Sequence, residues 1–122
     1  LSDIGICLET GHMSLGGGDP AARLGAWADR INHVHLKDVV LDVMTAIIAD
    51  NAPVTDIWSR EAFCQLGHGD LNVAEVLSGL RATGFEGWLV VEQDILPRTA
   101  KRFAQAAQDQ RDNRAFLASL GL

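Results

Sequence analysis

The apolar positions of this chain keep two rhythms that alternate along its length. Ile4 to Leu8 is a short apolar run flanked by Gly5 and Gly11, the pattern of a strand buried on both faces. Gly16-Gly17-Gly18 reads as a loop, and Asp19-Pro20 as an N-cap followed by proline at the first helical position. Leu24, Trp27, Ala28 and Ile31 then recur at helical spacing. His33 to Val39 returns to strand character, with His33, His35 and Lys37 on one side by the two-residue period. Val39, Val40, Val43, Met44, Ile47 and Ile48 suit a helix that Pro53 breaks, with a short second helix within Thr55 to Phe63. Cys64 to Leu71 reads as a short strand entering the turn Gly67-His68-Gly69-Asp70. Asn72 and Glu75 form a capping-box-like pair ahead of the stripe Val73, Val76, Leu77 and Leu80, and Gly84 stops that helix. Trp88 to Glu92 is the strongest strand signal, and Arg98 to Leu120 is helical with a break expected near Asp112-Asn113.

Strand and helix alternate about four times, which predicts an α/β fold with a parallel sheet and covering helices. Each unit takes about 30 residues, whereas a closed (β/α)8 barrel needs roughly 250. A chain of 122 residues is therefore half a barrel or a small open sheet, and spacing alone does not choose.

In parallel α/β folds the chemistry gathers at the C-terminal ends of the strands. Here those ends carry Glu9-Thr10-Gly11-His12, then His33, His35, Lys37 and Asp38, then His68 and Asp70, then Glu92-Gln93-Asp94. Glu9, His35 and Glu92 offer oxygen, nitrogen and oxygen donors, and their two carboxylates would balance a divalent cation such as Mn, Co, Mg or Zn. Structural roles compete with this reading. Glu9 can be a solvated strand-end acid, His33 a structural imidazole, and Lys37 with Asp38 a local ion pair of little value. Glu92 directly follows a buried run, where an unpaired carboxylate is costly, so a function is favoured there. Glycines 16–18 read as a flexible loop, because Asp19 would repel a phosphate at the helix start.

Composition narrows the partners. The chain is 48% hydrophobic and 21% charged, with a net charge of −6, which speaks against a nucleic-acid partner. No apolar run reaches membrane-spanning length, and Leu1-Ser2-Asp3 lacks the basic region of a leader. Cys7 and Cys64 form no metal-binding or redox pair; Cys7, in an apolar run, reads as a buried thiol, and the compartment as a reducing cytoplasm. The start without Met suggests a piece of a longer protein. A half-barrel leaves two open strand edges and an uncovered inner face, which predicts a homo-oligomer.

The ordered motifs carry a resemblance. Cys7-Leu8-Glu9-Thr10-Gly11-His12, Gly17-Gly18-Asp19-Pro20 and His33-Val34-His35-Leu36-Lys37-Asp38 resemble the sugar phosphate isomerase/epimerase group of the xylose-isomerase-like barrels. Phe63 to Asp70 (FCQLGHGD) and Gly87 to Asp94 (GWLVVEQD) continue it, with the inosose dehydratases as the nearest pattern. The resemblance implies the C-terminal half of a (β/α)8 TIM barrel, strands 5–8 with their helices. It implies Glu9, His35 and Glu92 as metal ligands, with Glu92 also moving the proton beside a substrate carbonyl. It implies His12 as a catalytic residue that contacts a small sugar or polyol, with Lys37 and Asp38 also on the substrate.

Three departures qualify that inheritance. Glu9 stands where the group usually has Asp, and His68 where it has Glu. The first four strands, which supply a fourth ligand, are missing. Endonuclease IV shares the superfamily, but Glu61 and Phe63 fall where its zinc-binding Asp and His are expected, and Phe cannot bind metal. A third reading is an inactive half-barrel that serves as a fragment or assembly unit.

Overall fold

The computed structural model describes residues 3–122; Leu1 and Ser2, part of the start read above for a leader, lie outside the described residues. Three parallel strands form the main sheet: β1 (Ile6–Glu9), β2 (Ile31–Leu36) and β5 (Trp88–Val91), in the order β1-β2-β5. Between β1 and β2 lie α1 (Thr10–Leu15) and α2 (Pro20–Trp27). Between β2 and β5 lie β3 (Asp38–Val39), α3 (Leu41–Ala49), α4 (Asp56–Ser59), β4 (Phe63–Cys64) and α5 (Val73–Ala82). The last helix is α6 (Ala100–Ser119).

Local signals explain much of this. The Asp19 side chain accepts from Ala22 N–H, with Pro20 at the first position of α2. Asn72 Oδ1 accepts from Glu75 N–H, while Asn72 Nδ2 donates to the Glu75 carboxylate. Gly84 ends the α5 segment at φ +68°, a conformation that favours glycine.

Four readings need correction. The expected fourth parallel strand is absent from the sheet: Phe63–Cys64 pairs antiparallel with Asp38–Val39 instead. The reason lies just downstream, where the Asp38 carboxylate takes the N–H groups of Gly67, Gly69 and Leu71 and leaves them unavailable to a parallel ladder. β5 sits directly beside β2, so the parallel sheet of the described residues has three strands, in keeping with part of a barrel. Ile31, placed on the α2 face by its spacing, begins β2 and pairs with Ile6. The turn of helix at Thr10–Leu15 was not foreseen, because Gly11 depresses helix propensity. Finally, α6 runs unbroken through Asp112-Asn113, since Asn113 is buried and its Oδ1 accepts from Leu66 N–H.

Alternation along the strands gives the sheet two different faces. Leu8, Val34 and Leu36, with Leu89 and Val91, pack against Leu24 of α2, Val73, Val76, Leu77 and Leu80 of α5, and Leu117 of α6. The opposite face carries Cys7, His33 and Trp88 in one cross-strand row, then Glu9, His35 and Val90 in the next. That face is open: Cys7 is exposed rather than buried as expected, and Trp88 is 74% exposed. A second core, with Val39, Ile47, Ile57, Ala62 and Phe63, seats β3, β4, α3 and α4.

Candidate active site

The register of the sheet brings the expected donors together. Glu9 and His35 are cross-strand partners, and Glu92 follows β5 with its N–H on the Leu36 carbonyl. His35 Nδ1 lies 3.0 Å from Glu92 Oε1. Three strand ends therefore converge on one patch of carboxylate and imidazole.

Glu9 has two local duties. As the N-cap of α1 it accepts from the N–H groups of Gly11 and His12, which satisfies donors that a helix start leaves free. Its Oε2 also meets His12 Nδ1. His12 sits exposed at the rim, with its ring edge-on to Phe63 at 5.3 Å between centroids.

Lys37 lies at the centre of the patch. Its side chain is only 1% exposed, yet its Nζ sits 2.9 Å from Glu92 Oε2, 3.0 Å from Asp94 Oδ2 and 3.8 Å from Glu9 Oε1. The Phe63 ring lies 5.0 Å below the ammonium. Burial pulls the Lys37 pKa down, but hydrogen bonds to Glu92 and Asp94 and the charge of Glu9 outweigh it and hold the group above the ordinary lysine value. Lys37 is therefore a cation at neutral pH. Its stem passes Gly11 so closely that a Cβ there would meet Lys37 Cγ at 2.9 Å. Thr10, fully buried, accepts from Lys37 N–H through Oγ1 and has the carbonyls of His35 and Lys37 within reach of its own proton.

Lys37 and Asp38, expected on the substrate, are both sealed from solvent, and they do not pair with each other. Asp38 accepts from the backbone N–H groups of Val39, Gly67, Gly69 and Leu71, which makes it the anchor of the 67–71 turn. His68 is exposed and lines a different pocket, with Gln65, Gln93, Arg102 and Asp109. Phe63, at the place a nuclease would need a ligand, is buried in the second core. The sequence places Thr10, Gly11 and Asp94 at the strand ends without assigning them a role, and gives no sign of Asp109. Of these, Asp94 carried a signal, as a second acid two residues beyond Glu92.

Both thiols are held in the protonated form. Burial, then the Asp38 and Asp70 charges, push Cys64 up to about 12. Cys7 lies on the open face, and its partial desolvation there, then the Glu92 and Glu9 charges, raise its pKa.

Among the described residues no three His, Cys, Asp or Glu side chains form a ready cage for a metal ion. The chemistry of the donor set nevertheless suits a cation. Two carboxylates, Glu9 and Glu92, already flank one positive charge, and an imidazole borders the second of them. Among the described residues no helix is long and apolar enough to cross a membrane.

Known proteins are similar to this chain in sequence and in fold. The rhizopine catabolism protein MocC of Rhizobium meliloti is 33% identical over 118 residues, 97% of this chain and 36% of its own length. An inosose dehydratase of Clostridium tetani is 34% identical over 95 residues, 78% of this chain and 32% of its own. The chain thus spans about a third of the curated relatives it matches. A xylose isomerase domain protein from Planctomyces limnophilus superposes with a TM-score of 0.67 over 95% of this chain and 37% of that one, a likeness of fold at 22% identity. A model of the xylose isomerase-like TIM barrel matches residues 1–120, and the chain belongs to that family.

Proposed function

We propose that this chain is part of a divalent-metal-dependent enzyme that isomerises, epimerises or dehydrates a small sugar or polyol, in the manner of an inosose dehydratase. The observation that carries this reading is the convergence of Glu9, His12, His35 and Glu92 at adjacent strand ends. Relatives named inosose dehydratase support the substrate class. Glu9, His35 and Glu92 would hold Mn, Co, Mg or Zn. The bound ion would polarise a substrate carbonyl. Glu92 would then take the proton from the neighbouring carbon, with the Lys37 ammonium 2.9 Å from its Oε2. His12, exposed at the rim, would contact the substrate and give a proton to the departing hydroxyl. The two free thiols accord with a reducing cytoplasm.

The test is metal binding and turnover of an inosose, measured on this chain and on any longer protein that contains it. Glu92→Ala and His35→Ala should each weaken metal binding at least about tenfold, in line with the loss of one direct ligand. Undiminished binding in both variants would remove these residues from the site.

A second property follows from the sheet. β1 and β5 each have one unpaired edge, and Trp88 stands exposed on the open face. We infer that the isolated chain pairs with a second copy through these edges. Light scattering after size exclusion at micromolar concentration should give a dimer mass or higher; a clean monomer rules the pairing out.

A further inference from the structure

The patch that should receive a metal already contains a cation. Lys37 Nζ lies within 3.8 Å of Glu9, Glu92 and Asp94, and its side chain is closed to solvent. A buried ammonium is costly unless carboxylates surround it, and carboxylates crowded together are costly unless a cation separates them. Each side of the cluster therefore stabilises the other. The setting of Lys37 is specific: Gly11 leaves room for its stem, Thr10 fixes its backbone N–H, and the Phe63 ring lies under its charge.

We propose that Lys37 is the resident counter-cation of this cluster: it holds Glu9, Glu92 and Asp94 together before any metal arrives, and it sets how tightly a divalent ion binds. This rests on the metal-site reading of Glu9, His35 and Glu92. The four groups carry three negative charges and one positive. An incoming divalent ion meets a field already partly cancelled, and repulsion from an ammonium a few ångströms away. Lys37 thereby weakens the resting affinity while keeping the carboxylates gathered. It is a positioning residue, acting through Glu9 and Glu92.

The experiment compares the chain with Lys37→Met, which keeps the apolar stem and removes the charge. In EDTA the variant should melt below the parent, because three carboxylates lose their shared cation. Manganese(II) chloride should then raise the melting temperature of the variant more than that of the parent. Calorimetric titration with the same salt should show at least about tenfold tighter binding in the variant. Equal or weaker manganese binding in Lys37→Met overturns the inference. If the parent still binds manganese and loses it on Glu92→Gln, the metal site survives that result and only the role of Lys37 falls. If neither protein binds manganese, both fall. Should the variant not fold in EDTA, nitrogen-15 spectra of the parent decide: a resident ammonium gives a Lys37 Nζ signal protected from solvent exchange, and a freely exchanging one overturns the proposal.

Discussion

Gly69→Ala will lower the melting temperature by about 10–20 °C, and Asp38→Ala will do the same by a different route. Both act on the turn at residues 67–71. A Cβ on Gly69 would press into the Val39 carbonyl oxygen and Asp38 Oδ1, with Cys64 Sγ at 2.8 Å. Two of these obstacles are a backbone atom and a carboxylate fixed by hydrogen bonds, so the turn itself must move. Asp38→Ala instead leaves the N–H groups of Val39, Gly67, Gly69 and Leu71 without their acceptor. The Val39 bond is buried and the other three are part-buried; a buried donor left unpaired costs about 1–3 kcal/mol and one that water reaches costs less, which brings the total to roughly 3–5 kcal/mol. For a domain of this size that corresponds to the stated fall. Thermal unfolding by circular dichroism checks both. Substitution of His68, which is exposed in the same turn, should change the melting temperature by less than about 3 °C. If Asp38→Ala is as mild as the His68 change, the carboxylate does not anchor the turn.

The same residue shows where the sequence was legible and where it was not. Period-two and period-3.6 patterns located β2, β5, α2 and α5, because each has one face that must be buried. Capping chemistry located the starts of α2 and α5. Asp38 was different. At the end of a strand it looked like a substrate contact, and only the folded chain shows four backbone donors closing on it from residues up to 33 positions away. No local pattern encodes that. β4 was misread for the same reason: its short apolar run suited a parallel strand, and the competing demand of Asp38 for the following N–H groups is a tertiary fact. The donors Glu9, His35 and Glu92 were legible because strand register alone brings them side by side. Lys37 was placed on the correct side of β2 by the two-residue period, but its burial depends on Gly11, Thr10 and Phe63 from other elements.

Beside the Asn113 bond to Leu66 and the packing of Leu117, the α6 helix is tied to the rest of the chain by a buried carboxylate, and that part of its attachment will be pH-dependent. Asp109 accepts from Gln65 Nε2 at 2.7 Å, Gln105 Nε2 at 2.9 Å, Gln93 Nε2 at 3.0 Å and Arg102 Nη1 at 3.1 Å. Burial pushes its pKa up, but the hydrogen bonds from Gln105, Arg102 and Gln93 and the Arg102 charge win, and hold it below the usual carboxylate value. A depressed folded-state pKa means that ionised Asp109 stabilises the fold in full above the unfolded value, near pH 4. That contribution is lost as the pH falls through the lower folded-state value. Asp109→Asn removes it at every pH, and its amide turns a donor toward groups that are themselves donors. At neutral pH the variant should therefore be less stable by about 3 kcal/mol in urea titrations, the scale of breaking a buried charge–hydrogen-bond network. Below about pH 4 the gap to the parent should narrow. A gap that stays constant from neutral pH down to acid would show that the charge of Asp109 contributes nothing. The consequence reaches the candidate site, because Gln93 stands between Glu92 and Asp94, the two carboxylates nearest Lys37. Tied to Asp109, Gln93 fixes the stretch that presents both acids; released from it, that stretch loses this tie and is left with the Lys37 contacts, the His35 contact to Glu92 and the bond from Glu92 N–H to the Leu36 carbonyl. Asp109→Asn should accordingly weaken any divalent-ion binding measured at Glu92, although Asp109 is not itself one of the donors.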